Sequence, residues 1–268
     1  MAYNISLISF FDILGFGNIV DTANDTSKVL KILEALKYEA TPDKESASTF
    51  EMKFANFSDS VVRTTNILSE SNREYQSGIL FSELLILVHI QSTLIFEDVF
   101  VRGCVTVDKI YQDESYIFGP GLNRAYRLEK NIAIFPRIII DPRVFMVWEQ
   151  TPALKAGHHN LLQEKEYIRA LLRESSDGVW FLDYLVVMGR EYDDYTAYGK
   201  FLKHHKDLIV KCSKKFEDLD DVAVKYTWLA RYHNEVIESL HSKAFKLMKI
   251  SREDLRITKE EVKMIYQF

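Results

Sequence analysis

Between Ile5 and Ile140 the sequence alternates short apolar runs of strand character with three helical periodicities, in an order that few folds accept. ISLISFFDI is rich in β-branched and aromatic residues and reads as a central strand ending at Asp12. GFGN makes a turn, and from Ile19 to Tyr38 apolar residues (Val29, Ile32, Leu33, Leu36) recur at helical spacing. Thr41 to Ser48 is polar, carries Pro42 and reads as a loop. FEMKFANF and SVVRTT then alternate like the arms of a hairpin, with Ser58 and Asp59 in its turn. A helix is predicted from Gly78 to Val99, then strands at VRGCVTV and YIFG, a helix from Leu122 to Lys130 and a strand at PRIIID.

The resulting order, β-α-β-β-α-β with a further α-β behind it, is the split βαβ arrangement of ferredoxin-like folds, so an α/β (α+β) class is expected. After about Glu149 the pattern changes. GVWFLDYLVVM could be one more strand, but Leu161 to Arg173, Tyr195 to Phe216 and Asp221 to Met248 read as charged, amphipathic helices. The expected division is therefore a core domain over 1–150 and a helical C-terminal extension over 151–268, packed on that core.

Composition narrows what such a chain can bind. Hydrophobic residues make up 47% and charged residues 27% of the 268, enough apolar material for a folded chain throughout. A net charge of −5 gives no basic field for a polyanion, so nucleic acid is not an expected partner. Cys104 and Cys212 lie far apart, with neither metal-ligand nor disulfide-framework spacing, which fits a reducing, cytoplasmic compartment. The amino terminus lacks the pattern of a secretion signal. The most apolar run, Leu84 to Leu94, is interrupted by His89 and Gln91, falls short of the ~20 residues of a membrane span and reads as a buried helix.

Three segments carry chemistry. In FFDILGFG a carboxylate at a strand end precedes a glycine turn into a helix, which can bind a metal and a phosphate together; taken alone, Asp12 reads more readily as a helix cap. Asp59, in FSDSVV, sits at a hairpin tip, a common place for an aspartate. If neighbouring central strands present both, the two carboxylates can converge on a pair of ions. In SYIFGPGLNRAYRLEK, Asn123 and Arg127 stand four apart and share a helix face, suiting a ribose and a phosphoryl group, or else a solvated face with an ion pair.

Taken in order, these segments resemble the class III nucleotidyl cyclases. FFDILGF is similar to that family's Phe-x-Asp-Ile-x-Gly-Phe, and FSDS to its Gly-Asp hairpin with Ser58 in the glycine place; RGCVTV is similar to Arg-x-Gly-Ile, and IFGPGLNRAYRLE to Trp-Gly-x-x-Val-Asn-x-Ala-x-Arg-Leu. The resemblance covers about residues 5 to 150, which would make 1–150 the cyclase catalytic core. It implies two divalent metal ions, Mn2+ or Mg2+, held by Asp12, the backbone carbonyl of Ile13 and Asp59. It also implies a ribose-orienting Asn123, a transition-state-stabilising Arg127, and a substrate-binding role for Arg102, which could equally be a structural ion pair. The family's sites form between two catalytic domains, so a homodimer with shared active sites is implied. His158-His159 and His204-His205 have no part in this and read as surface residues.

The departures concern the base. Adenylyl cyclases of this type carry a Lys four residues before the hairpin Asp and an Asp three before the later Gly, where this chain has Ala55 and Tyr116. The acidic and small polar pair of guanylyl cyclases is missing too. The chain resembles the pyrimidine (uridylate and cytidylate) cyclases of bacterial Pycsar antiphage systems. It implies UTP ahead of CTP as substrate, a cyclic monophosphate as messenger, and a separate effector protein that reads it. The alternatives are a cytidylate or purine cyclase and a catalytically inactive, cyclase-like nucleotide-sensing module. A phosphotransferase with an Asp nucleophile would want a second acid two residues after Asp12, where Leu14 stands.

Overall fold

The computed structural model describes residues 2–216 and 218–262. Its contacts divide the chain into two compact units, up to Asp183 and from Tyr184 onward. In the first unit the elements run β1 (Asn4–Ile13), α1 (Phe16–Thr22), α2 (Ser27–Ala40), α3 (Lys44–Thr49), β2 (Met52–Phe57), β3 (Ser60–Asn66), α4 (Glu70–Tyr75) and α5 (Ile79–Phe96). They continue with β4 (Val101–Gln112), β5 (Ile117–Phe118), α6 (Pro120–Asn131), β6 (Ile138–Ile140), α7 (Pro142–Gln150), α8 (Leu161–Ala170), β7 (Leu172–Glu174) and β8 (Trp180–Leu182). One sheet joins them in the order β2-β3-β1-β4-β6-β8-β7, with β5 hydrogen-bonded to β4 alone. The first four strands stand in the 2-3-1-4 order of the ferredoxin-like split, so the mixed α/β class expected from the sequence is present.

Alternation along β1 decides what covers each face of the sheet. Side chains of a strand point to opposite faces in turn. Ile8 lies beneath Gly121, Phe10 meets the ring of Tyr126 edge-on and Asp12 lies beside Glu129, so this face belongs to α6. Ser9 points the other way, toward α5, and donates to the Glu83 carboxylate at 2.7 Å. Arg63, paired with Ser9 across the β1–β3 ladder, grips the same carboxylate with two bonds of 2.9 Å and donates to the Ala40 carbonyl. This ion pair is buried and its hydrogen bonds tie β3, β1, α2 and α5 together. Gly103, opposite Phe11, has no room for a side chain: an added Cβ would stand 2.3 Å from the Phe10 carbonyl oxygen.

Several sequence expectations change. The helix over Ile19 to Tyr38 is two helices, α1 and α2, separated at Ala23–Thr26. The loop expected at Thr41 to Ser48 contains α3, because the Asp43 side chain caps the Ser46 N–H. The helix expected to reach Arg173 stops at Ala170, and Leu172–Glu174 pairs with Trp180–Leu182 as an edge hairpin. GVWFLDYLVVM is half strand and half helix. Because β8 pairs with β6, the first compact unit extends to Asp183 where the sequence suggested 150. By length and composition α5 could cross a membrane; in the fold it is a core helix, with Leu80, Leu84, Leu87 and Leu94 inaccessible to solvent.

The second unit is helical: α9 (Tyr184–Glu191), α10 (Tyr195–Lys215), α11 (Asp220–Ser239), α12 (Ser242–Met248) and α13 (Arg252–Leu255). The helix expected over Asp221 to Met248 breaks at Leu240–His241, where His241 caps α12. His205 is fully buried, contrary to the surface position expected for it. Its Nδ1 lies 3.0 Å from Nδ1 of His233, and its Nε2 lies 2.7 Å from the Tyr184 hydroxyl. His233 Nε2 faces the Leu255 carbonyl at 2.8 Å and must donate to it, so Nδ1 of His233 is the acceptor. His205 therefore donates through Nδ1 and accepts the Tyr184 O–H at Nε2.

Candidate functional site

Asp12 stands next to last in β1, one residue past the Phe11↔Val61 pair, and the next strand on that side begins directly after Asp59. The hairpin turn between β2 and β3 needs a positive φ, and Ser58 supplies it at 55°. This is the place where the family pattern has glycine, a residue that adopts such angles without strain. The turn leaves Asp59 half-buried against the end of β1. Burial and the negative charge of Asp12 push the Asp59 carboxyl above its ordinary range, against hydrogen bonds from its own N–H, from Ser58 and from the Ile13 N–H. A strand residue points its N–H and C=O to the same neighbour, so the Ile13 carbonyl faces the Asp59 side as well. Two repelling carboxylates and a carbonyl form an all-oxygen set suited to a hard divalent cation. No group of three or more ligating side chains suited to a metal occurs among the described residues.

On the other side of β1, Arg102 pairs in register with Asp12. Its Nε lies 3.2 Å from Asp12 Oδ1, one Nη lies 3.4 Å from Oδ2, and an Nη lies 2.5 Å from Glu129 Oε1. Burial works against the guanidinium charge, and Asp12, Glu129 and Asp59 together overcome it, holding the Arg102 pKa above its usual value.

Glu129 was not among the residues singled out from the sequence. It is buried in α6, and burial, together with the nearby Asp12 and Asp59 charges, pushes its carboxyl up to about 7 despite Arg102. A signal was present: Gly121, Ala125 and Glu129 recur every four residues, so a carboxylate shares the helix face of two small residues that pack against the sheet.

Asn123 and Arg127 do share a face of α6, as their spacing required, but that face is exposed. Arg127 lies two residues from Glu129, about 200° around the helix axis. Within one chain, then, Asp12, Ile13, Asp59 and Arg102 come together, and the Asn123 and Arg127 side chains project away from them.

Tyr116 is 68% exposed and lines an open cavity of about 410 Å3 with Tyr3, Tyr111 and Phe118. Ala55 lies on β2, level with Val62. Lys53 connects the two regions, and its role too was missed in the sequence. Two residues from Ala55 and on the same face of β2, it donates to the Gln112 carbonyl at 2.5 Å and lies in the field of Asp113, whose carboxylate accepts the Tyr116 N–H at 2.7 Å. Position 53 therefore carries a cationic donor two residues from Ala55, engaged with the Gln112 carbonyl.

No known sequence family and no curated protein matches the chain. Among solved structures it is similar to the guanylyl cyclase Cya2 at 12% identity and TM-score 0.39, over 68% of this chain and 94% of that one. It is similar to the monomeric guanylyl cyclase domain of the RhoGC fusion protein from the aquatic fungus Blastocladiella emersonii at 12% and 0.41, over 68% and 96%. It is also similar to a bacterial light-regulated adenylyl cyclase at 16% and 0.36, over 63% and 98%.

Proposed function

We propose that this chain is a nucleotidyl cyclase that converts a nucleoside triphosphate to its 3′,5′-cyclic monophosphate and pyrophosphate, and that it works as a homodimer. The observation that carries this reading is the division of chemical groups within one chain: a carboxylate pair beside a carbonyl at one end of the sheet, and an amide and a guanidinium, Asn123 and Arg127, on an exposed helix face directed elsewhere. A complete site then needs the carboxylates of one copy and the Asn123/Arg127 face of another.

In such a site Asp12, Asp59 and the Ile13 carbonyl would hold divalent cations, Mn2+ or Mg2+, whose chemistry is to lower the pKa of the 3′-hydroxyl and to neutralise the departing pyrophosphate. Asn123 fixes the ribose so that its 3′-oxygen faces the α-phosphorus, converting an encounter into an aligned attack. The bond from the 3′-oxygen to phosphorus forms as the bond from phosphorus to the pyrophosphate oxygen breaks, and the hydroxyl proton passes to solvent. Arg127 meets the charge that gathers on the non-bridging oxygens with a planar guanidinium. Arg102 is suited to the triphosphate once it is released from Asp12.

For the base we infer a pyrimidine, UTP ahead of CTP, with the product acting as an antiphage messenger read by a separate effector protein. Ala55, Tyr116 and the resemblance to the Pycsar cyclases support this. Lys53 beside Asp113 is the feature that favours a purine instead, since a charged pair can read an adenine edge. The Arg102–Asp12 pair favours a second reading, an inactive nucleotide-sensing module, because it ties up a carboxylate that the cation needs.

Mass spectrometry of products formed from ATP, GTP, CTP and UTP with Mn2+ separates all of these. Cyclic UMP in excess is the expected result; cyclic AMP in excess assigns the base to Lys53 and Asp113, and nucleotide binding without any product supports the sensor. Mixing Asp12→Ala with Arg127→Ala, each inactive alone, should restore part of the activity, since the mixed dimer holds one intact site. No recovery while subunits demonstrably exchange would rule out the shared site.

A further inference from the structure

We propose that Glu129 is a positioning residue which takes the Arg102 guanidinium away from Asp12 when a divalent cation arrives. The inference rests on the cyclase reading only for the location of the cation. Arg102 is bound unequally, 3.2 and 3.4 Å from the two Asp12 oxygens and 2.5 Å from Glu129. A carboxylate that ligates a cation cannot also keep a guanidinium in the same lone-pair directions, so the two positive groups compete for Asp12. An Arg with nowhere else to go would hold its place, because an unpaired charge at a partly buried site is strongly disfavoured. Glu129 removes that obstacle. Its side chain is 5% exposed, and its Oε1, close to the guanidinium, has no hydrogen bond of good geometry in the present arrangement. A small rotation of Arg102 would supply that bond and free Asp12.

The charge balance agrees. The carboxylates Asp12, Asp59 and Glu129 outnumber the single Arg102 guanidinium, so the cluster attracts an added cation. Among the described residues, Glu129 and Asp12 are the carboxylates Arg102 contacts, and Asp59 acts on it through its field.

The test is a double-mutant cycle read by Mn2+ binding, followed by electron paramagnetic resonance on the intact protein without nucleotide. Glu129→Gln should weaken Mn2+ binding by about tenfold or more, the range seen when a group supporting a metal ligand is lost. In an Arg102→Gln background the same substitution should have little effect, because the competitor is gone. If Glu129→Gln weakens Mn2+ equally in both backgrounds, Glu129 contributes only its charge and the hand-off is wrong. Thermal melts of the four proteins check that each is folded, and Glu129→Asp should recover part of the loss. Failure of the wild type to bind Mn2+ would overturn the metal site itself, whereas Mn2+ binding without cyclic product would overturn the cyclase reading and leave the hand-off standing.

Discussion

Asp12 and Asp59 are held side by side at a cost. Each raises the free energy of the other's charge, and Asp59 also loses hydration, which is why its carboxyl titrates above the ordinary range. Such a pair is stabilised by a cation and tolerates neutral substitution structurally. Asp12→Ala and Asp59→Ala are therefore expected to melt near the wild type while losing about 10³-fold or more in cyclase rate with Mn2+. Substantial residual activity in either variant would remove that residue from the metal set. The buried histidines make a different prediction. Burial, with the neighbouring His233 and His204, holds the His205 pKa well below 6.5; burial, with Lys206, holds His233 at about 4, against the Leu255 carbonyl and Asp207. A histidine whose folded pKa is depressed takes up its proton more readily when unfolded, so its stabilising effect is full above about pH 6.5 and is lost as pH falls toward the folded value. His233 alone should cost about 2 kcal/mol of stability between pH 7 and pH 5. Urea titrations at the two pH values measure this, and equal midpoints would refute it.

Among the elements, β3 and α5 are joined by a charge pair that almost no water reaches. Glu83 accepts from Ser9 and twice from Arg63, so its charge is well compensated and its carboxyl is held low despite burial. Breaking one half leaves the other buried and unpaired. Glu83→Ala should cost about 3–5 kcal/mol, while replacing Arg63 and Glu83 together by Met and Leu should cost much less, as denaturant midpoints will show. The sequence does not reveal the two as a pair, because Arg63 is one polar position of a strand and Glu83 lies 20 residues away just ahead of an apolar run.

The difference is instructive. The strands that carry Asp12 and Asp59 were legible because their apolar runs are long and their turns hold Gly or Ser. Asn123 and Arg127 were legible because helical spacing fixes which residues share a face. What escaped reading depended on tertiary partners. The 41–48 segment forms a helix through a single aspartate cap, Leu172–Glu174 becomes a strand only because Trp180–Leu182 lies beside it, and His205 is buried by a partner 28 residues away. Lys53 and Glu129 matter through neighbours that adjacent sequence does not reveal.

At the scale of the whole molecule, one copy carries both halves of the proposed site without joining them. A two-fold dimer uses the same patch on each partner, so every contact made once is made twice and two sites form together. Specific activity should consequently fall when the protein is diluted through the dimer dissociation constant, and light scattering on the same samples should show the mass halving over the same range. Constant specific activity across that dissociation would mean that a single copy suffices. The outward direction of Asn123 and Arg127 then has a consequence for dosage. While most copies are single, the rate of product formation scales with the square of protein abundance, so a twofold rise in expression yields about four times the signal. Scarce protein would then form little product, and that threshold would be written into the orientation of two side chains.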